Sequence, residues 1–382
     1  MFLDKPIRFF SSLRLTVALL LLGLVLIFWG TLAQVDLGLY KAQNEFFRSF
    51  FIYWGPRGAG WKVPIFPGGY LVGGLLLINL VTAHINRFTL TRKKAGIWLV
   101  HVGVILLLLG QLLTDMLSRE TALHLREGEA RSYSESDREA ELAVIDTSDR
   151  DTDKVVAISQ RVLARRKQIQ HAELPFAIEI RQFFANSQVT KRAQESKEPA
   201  AANQNIGAST TVRELPRVTS MDDRDVPSAV IELTTPRGSL GTWLMSEFIE
   251  QPQTVRVDNR NYELILRPTR HYKPFSVRLL RFQHDVYAGT DIPKNFASRV
   301  LLQRPDTGEK REVLIYMNNP LRYAGETFYQ ASFDRDDQGT VLQVVHNPSW
   351  LTPYVSCILV ALGLVWQFLS HLVPFIRRKV LV

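Results

Sequence analysis

The chain has 382 residues, of which 46% are apolar and 22% are charged, and its formal net charge is +9 at pH 7. So much apolar mass excludes an intrinsically disordered chain, and the length allows two or three domains. The single cysteine, Cys357, excludes a disulfide framework within the chain, a Cys-x-x-Cys redox pair, a zinc–thiolate cluster and a covalent haem-attachment motif. The basic residues sit beside apolar segments, which indicates a membrane and no nucleic-acid partner.

Four stretches lack Lys, Arg, Asp and Glu and are long enough to cross a bilayer, which takes about 20 apolar residues. We expect an N-terminal transmembrane region at residues 1–115, with helices at about 15–35, 68–86 and 95–115. A fourth helix and a basic tail follow at residues 350–382. A signal peptide is the alternative for the first stretch, although its apolar run exceeds the ~7–15 residues of a signal h-region.

Basic residues flank these spans at three places and predict their orientation. They precede the first span, fill the short loop between the second and third, and follow the fourth. By the positive-inside rule these three places are cytoplasmic. Both termini then lie inside, and the large segment between the third and fourth spans lies outside, which corresponds to the periplasmic side of a bacterial inner membrane.

Glycines recur at a spacing of seven residues within two of the spans. Gly96, Gly103 and Gly110 do so on the third span, and Gly23 and Gly30 on the first. Glycine on one helix face lets backbones approach closely, as in helix association within lipid. The spacing therefore predicts helix–helix contacts, with the general abundance of glycine in membrane helices as the alternative.

The segment at residues 116–349 shows a series of short, β-branched or alternating stretches separated by Gly, Pro, Asn and Asp. This pattern predicts an all-β extracytoplasmic domain, a sandwich or a barrel-like pair of sheets. The predicted strands begin at residue 140 and include separate strands at residues 262–267 and 277–282, and residues 258–261 are predicted to form a hairpin turn. Residues 186–225 are polar and poor in aromatics, so we expect a poorly ordered insert that could split the domain in two.

Three histidines fall in or near the spans, at ends that the predicted orientation places in one leaflet. His101 lies inside the third span, roughly 10 Å deep at ~1.5 Å per residue. His84 and His371 lie near the cytoplasmic ends of the second and fourth spans. An ionisable residue within a span is costly and thus a functional candidate, and imidazole is a good iron ligand. The alternatives are a buried, hydrogen-bonded His101 and snorkelling of the other two side chains.

The remaining histidines, at positions 124, 171, 271, 284 and 346, show no metal-ligand spacing. His346 could contact a ligand at the outer membrane surface, although an ordinary interfacial role suits it better. No Gly-x-Ser-x-Gly elbow, P-loop or dinucleotide-binding glycine motif is present, which disfavours hydrolases and nucleotide-binding enzymes.

Four motifs give the chain a resemblance to a known family. They are RKKAGIWLVHVGVILLLLGQ around His101, FQHDVYAGTDIPKNFASRVLL at residues 282–302, MNNPLRYAGETFYQASFD at residues 317–334, and VVHNPSWLTPY at the start of the last span. With three spans, a large outer domain and one further span, the chain resembles the ResB family of system II cytochrome c biogenesis proteins. The block at residues 319–330 either contacts substrate or closes a β-turn and fills the sheet core.

The resemblance implies a membrane partner of the ResC/CcsA type, with which such proteins move haem across the membrane and join it to apocytochrome c. It implies His101 as a ligand of noncovalent, transiently bound haem b, with His84 and His371 as weaker candidates. Arg87 and Arg92 are candidate contacts of the propionates, unless these residues only orient the helices. Since this chain has one cysteine, a thioredoxin-like partner would reduce the substrate thiols.

We therefore expect a subunit of the cytochrome c synthase that is not catalytic alone. The alternative is a structural membrane subunit, in which the β domain is a docking platform for another complex and the spans only anchor it. A membrane receptor without haem is a third interpretation, and it predicts no dependence on His101.

Overall fold

The chain divides into two units in the computed structural model, which describes residues 4–56, 60–87, 91–149, 152–192, 199–220, 223–289 and 293–380. One unit, which we call the helical unit, comprises residues 1–119 and 346–382 with the short segment 219–221, and the other comprises most of residues 120–345. The helices are α1 (Asp4–Phe10), α2 (Leu13–Leu37), α3 (Leu39–Ala42), α4 (Gly69–Arg87), α5 (Ala95–Leu117), α6 (Gln160–Arg165), α7 (Asn205–Ala208) and α8 (Thr352–Val380).

Strands build most of the second unit, which we call the β domain. The first unit holds the small hairpin β1 (Phe51–Trp54) and β2 (Val63–Pro67). The β domain contains β3 (Arg119–Arg126), β4 (Ala130–Asp146), β5 (Lys154–Ser159), β6 (Gln168–Ile169), β7 (Ala177–Phe184), β8 (Ser187–Lys191), β9 (Thr210–Glu214), β10 (Ser228–Thr235), β11 (Gly238–Ser246), β12 (Gln253–Val257), β13 (Arg260–Val286), β14 (Pro293–Arg304), β15 (Glu309–Tyr316), β16 (Leu321–Tyr323), β17 (Glu326–Phe333) and β18 (Gly339–His346).

Four helices, α2, α4, α5 and α8, are long and apolar enough to cross a membrane. Together with the β domain they confirm the predicted fold class of three N-terminal spans, one C-terminal span and a large β-rich domain. The chain is therefore a membrane-anchored protein. Each span is 18–26 residues long, which suits a hydrocarbon core of about 30 Å.

A buried amide fastens α2 to α4. The Asn79 side chain of α4 accepts a hydrogen bond from Thr16 at 2.6 Å and donates to the carbonyl oxygens of Phe10, at 2.6 Å, and Ser12, at 3.2 Å. These carbonyls lie at the break between α1 and α2. Phe10 ends α1, where the last carbonyls lack intrahelical partners, and the Ser12 carbonyl also accepts the first backbone hydrogen bond of α2 from Thr16 at 3.2 Å. Further along α2, Gly23 contacts the side chain of Val72, as its spacing predicted.

The glycine face of α5 packs against α8 and confirms the predicted helix contact. All three glycines are buried, and each lies where a side chain would collide with α8. Gly96 faces Gly363 and Gln367, Gly103 faces Ser356 and Val360, and Gly110 faces Thr352. The order of these contacts makes the two helices antiparallel.

The described part of the β domain has two large apolar cores and a smaller third one around Leu244. In the first, strands β7, β10 and β11 of a four-stranded sheet cover β4, β5, β12 and the first half of β13, with Leu142, Ile231 and Leu264 fully buried. In the second, the sheet ordered β15-β14-β13-β4-β3-β18-β17-β16 bends around Leu125, Val300 and Phe328, and β15 contacts β17. Burial of these side chains supplies the main stabilisation of the domain.

Two sequence expectations differ from the structure. Residues 262–267 and 277–282, expected as separate strands, belong to the single bent strand β13, which pairs with β4 across two register shifts. Pro268 and Pro274 lie within this strand at its two register shifts, where bulges accommodate them. Part of the insert at residues 186–225, expected to lack order, forms the hairpin β8–β9, because Val189 and Val212 pack against a small core around Leu244.

The predicted turn at residues 258–261 is confirmed. Val257 pairs with Arg260, and the two residues between them, Asp258 and Asn259, have φ values of +46° and +64°. A two-residue hairpin loop of the twist-compatible kind needs positive φ at both positions, and Asp and Asn tolerate it.

Candidate functional site

Two histidines from consecutive spans meet inside the helical unit. The ring centroids of His84, on α4, and His101, on α5, lie 5.7 Å apart with an interplanar angle of 68°. Helices α4 and α5 run in opposite directions from the short loop that joins them, so His84, three residues before the end of α4, reaches the level of His101, six residues into α5. The sequence placed both in one leaflet, and the structure brings them together.

Trp98 completes the surroundings of this pair. Its ring lies 5.3 Å from the His84 ring, measured between centroids, and both histidines are half-buried. His101 also lies two residues before Gly103. At 3.6 residues per turn, the two positions are about 200° apart around the helix axis. The α8 contact and the histidine pair therefore occupy opposite sides of α5.

His371 occupies a different environment. Its side chain is exposed near the end of α8, and its Nε2 atom lies 2.7 Å from the amide nitrogen of Gln367, one turn earlier. This arrangement resembles the snorkelling alternative. Among the three candidate ligands, the structure pairs His84 with His101 and places His371 beside a residue of its own helix.

The two candidate propionate contacts are placed unequally. Arg92 is exposed in a short 3-10 turn, and its backbone carbonyl accepts a hydrogen bond from the Trp366 side chain at 3.1 Å. The side chain of Arg87 lies outside the described residues. A role of either residue toward propionates stays a prediction.

The donor set of the pair fits haem iron. Two imidazoles meet there. A bare zinc ion takes at least three protein ligands, whereas a porphyrin supplies four nitrogens and leaves two axial positions for the protein. The surrounding apolar helices and Trp98 suit the apolar macrocycle.

The block at residues 319–330 has the structural role that was one of its two interpretations. Strands β16 and β17 pair through a turn at Ala324 and Gly325, both with positive φ. Phe328 is fully buried, and Tyr323 packs edge-on against Phe275 with ring centroids 4.9 Å apart. These contacts favour the packing interpretation of the block.

Two histidine–carboxylate pairs in the β domain were not predicted from the sequence. His124 hydrogen-bonds to Asp334 at 2.9 Å, and His284 to Asp337 at 3.0 Å, on the loop between β17 and β18. His284 also packs against Phe333, with ring centroids 4.3 Å apart. Their separations of 210 and 53 residues leave no local signal in the sequence.

A charged cavity of about 150 Å³ lies beside the first core of the β domain. Burial raises the pKa of Asp137 and of Glu247, which line it, although Arg224 opposes both shifts and forms an ion pair with Glu247 at 3.1 Å. Its walls carry both signs of charge. We assign no ligand to this cavity.

Comparison with known proteins gives two matches. Residues 241–341 match the ResB-like family. The protein NrfI of Wolinella succinogenes is 27% identical over 310 residues, which cover 81% of this chain and 30% of NrfI. The chain thus spans about a third of the length of that relative. These matches confirm the resemblance that the motifs indicated, and residues 241–341 form a ResB-like segment of this chain.

Proposed function

We propose that the chain takes part in cytochrome c biogenesis, as a membrane subunit that binds haem and helps to present it for covalent attachment to apocytochrome c. The ResB-like segment supports the pathway. The observation that carries the haem-binding step is the approach of His84 and His101 within the spans. A subunit that only anchors a docking platform would have no need of two imidazoles at that depth, where ionisable side chains are costly.

His101 and His84 act as the iron donors in this proposal. Each neutral imidazole offers one nitrogen lone pair, and the two rings meet edge-on from neighbouring helices. Haem is the cargo of this site and becomes the group joined to the cytochrome. Arg92, and Arg87 at the end of α4, would neutralise the propionates near the loop between the spans.

The proposed placement follows from the charges. With the basic loop between α4 and α5 in the cytoplasm, both termini are cytoplasmic and the β domain lies on the periplasmic side of a bacterial inner membrane. The histidine pair then lies toward the cytoplasmic leaflet, where haem would enter. Haem attachment itself belongs to a complex with a ResC/CcsA-type partner. The site at His101 would pass its haem to that partner or hold the haem jointly with it.

A reductant is also part of the proposal. Thioether formation needs reduced thiols in the apocytochrome, and this chain has the single Cys357, exposed on α8. It cannot form the dithiol of a reductase within one chain. A thioredoxin-like protein would therefore keep the substrate reduced.

Absorbance of the purified protein tests the proposal. The chain, alone or with its partner, should carry noncovalent haem with a Soret band. We expect His101→Ala and His84→Ala to lower haem occupancy at least about tenfold, because loss of even a residue that supports a metal ligand commonly costs that much affinity. His346→Ala, just before α8 and at the opposite end of the bundle, is the matched control and should keep the band.

An unchanged Soret band in His101→Ala would contradict the haem-binding proposal and favour the anchored docking platform. An equal loss of haem occupancy in His346→Ala would also contradict the proposal, since the loss would then reflect general disruption of the helix bundle.

A further inference from the structure

The hairpin β1–β2 lies between two membrane spans and has an apolar inner face. It connects the end of α2 to the start of α4, and its strands pair from Phe51 with Pro67 to Trp54 with Val63. Ile52 is buried against Leu26 of α2 in a small core. This side of the hairpin is therefore fixed to the span.

The outward face of the hairpin is also apolar, and this is unusual. Phe51 and Tyr53 alternate with the buried Ile52 and point away from α2. A bulge follows Ile52, and beyond it Trp54 and Val63, which pair with each other, are exposed, as is Ile65. We call these five exposed side chains together the outward face. A hairpin that faces water carries polar residues at such positions. The outward face thus needs an apolar or amphipathic neighbour.

The hairpin lies alongside the last turns of α2. Phe66 packs against Trp29, with ring centroids 5.8 Å apart, and Trp29 precedes the end of α2 by eight residues, or about 12 Å at 1.5 Å per residue. At the same, open end of the hairpin, Gly69 starts α4 directly against the backbone of Phe47. The open end of the hairpin is therefore fixed against α2 and the start of α4.

Three exposed aromatic residues on or beside this face carry polar atoms. Tyr53, Trp54 and Trp61 are each 56% exposed, and Lys62 lies exposed beside them. Trp and Tyr concentrate at the membrane–water interface, because an apolar ring and a hydrogen-bonding tip suit that zone. Lysine at the same level can meet lipid phosphates.

The depth of the hairpin follows from its hydrogen bonding. In the described part of the chain it forms a sheet of two strands, so each strand has an open edge of backbone groups. Open sheet edges do not occur in the hydrocarbon core, where nothing satisfies them. The headgroup region provides water and phosphates for these edges and an acyl boundary for the rings.

We propose that the outward face of β1–β2 is an interfacial membrane anchor, seated at the headgroup–acyl boundary of the leaflet opposite the basic loop. Its occupant is the lipid of that leaflet. The anchor fixes the depth of α2 and α4 in the bilayer, and it does not depend on haem binding.

Depth-dependent fluorescence quenching in phosphatidylcholine vesicles tests this proposal. In a Cys357→Ser background, Tyr53→Cys receives an environment-sensitive fluorophore. Lipids brominated near the headgroup should quench it at least about twofold more than lipids brominated near the chain ends, since interfacial rings sit at the headgroup level. Phe28→Cys, on the exposed side of α2, is the matched lipid-facing control, and Arg237→Cys, 87% exposed in the β domain, is the water-facing control.

Quenching of the Tyr53→Cys label by iodide alone, as for the Arg237→Cys label, would show a water-exposed hairpin and overturn the proposal. Quenching by neither bromolipids nor iodide would show a face covered by protein and would overturn it equally.

A second measurement avoids labels. In the unlabelled protein, lipids brominated near the headgroup should quench a share of the tryptophan emission. The double variant Trp54→Phe/Trp61→Phe should lose a large part of this quenchable share. Trp243→Phe, which removes a buried ring of the β domain, should leave that share unchanged. An equal share in the double variant and the wild type would contradict the proposed anchor.

Discussion

Replacement of Lys273 by Met is expected to destabilise the β domain by about 3–5 kcal/mol, the usual cost of breaking a buried ion pair. The ammonium of Lys273 donates to both carboxylate oxygens of Glu326, at 2.7 and 2.6 Å, and its side chain is only 4% exposed. It also lies 5.8 Å from the ring centroid of Phe328, which is fully buried. The variant leaves a carboxylate in a site of low dielectric constant with its main counter-charge removed.

Urea unfolding, followed by the β-sheet circular dichroism signal of the full chain in detergent, measures this effect. The double variant Lys273→Met/Glu326→Gln should recover most of the loss, because removal of both charges takes away the uncompensated one. Arg237→Met breaks the exposed pair with Asp258 and should cost less than about 1 kcal/mol. A free energy of unfolding for Lys273→Met that matches Arg237→Met would contradict the buried-pair account.

Replacement of Gly96 by Leu is expected to weaken the packing of α5 against α8 by about 1–3 kcal/mol, the typical cost of overpacking. A Cβ atom at Gly96 would lie 2.6 Å from the carbonyl oxygen of Gly363 and 2.8 Å from the backbone nitrogen of Gln367. Both are backbone atoms, so relief requires the helices to separate. Since α5 also carries His101, the variant should lower haem occupancy as well.

Gly74→Leu on α4 is the matched control, because no atom lies within 4 Å of a Cβ placed there. Resistance of the helical unit to unfolding in mixed detergent micelles, with increasing fractions of dodecyl sulfate, compares the two variants. We expect Gly74→Leu to behave like the wild type and Gly96→Leu to unfold at a lower fraction. Equal midpoints would show that the glycine seam does not set the packing.

The membrane region was largely predictable from the sequence. Uncharged apolar runs gave the four spans, and the seven-residue spacing of Gly96, Gly103 and Gly110 gave a contact face that the structure assigns to α8. Both signals are local, because helix length and helix period act within one segment. The partner of that face could not be read from the sequence, since it depends on which helices meet.

The histidine site was predictable only in part. Distances along the chain placed His84 and His101 in one leaflet, but the direction of each side chain depends on the rotation of its helix. The structure brings the rings to 5.7 Å, and it sets His371 beside Gln367. Helix rotation in turn follows from the packing of α5 on α8, a long-range contact that single-sequence reasoning lacks.

The β domain was the least predictable part. The first strand, β3, carries charged residues at several positions and was not recognised, and β13 bends through two prolines without ending. Non-local pairing decides both cases: β13 follows β4 through its bulges, and β3 joins β4 to β18. Tertiary context overrides strand propensity at such positions.

Chemical rescue of a cavity variant is the most direct test of the central claim that His101 binds haem iron. His101→Gly removes the side chain, and free imidazole can then occupy the vacated ligand position. We predict that the purified variant lacks most of the Soret band and regains it when haem and imidazole are added together, while haem alone restores little. A variant that keeps the wild-type band without imidazole, or that responds equally to haem with and without imidazole, would contradict iron coordination by His101.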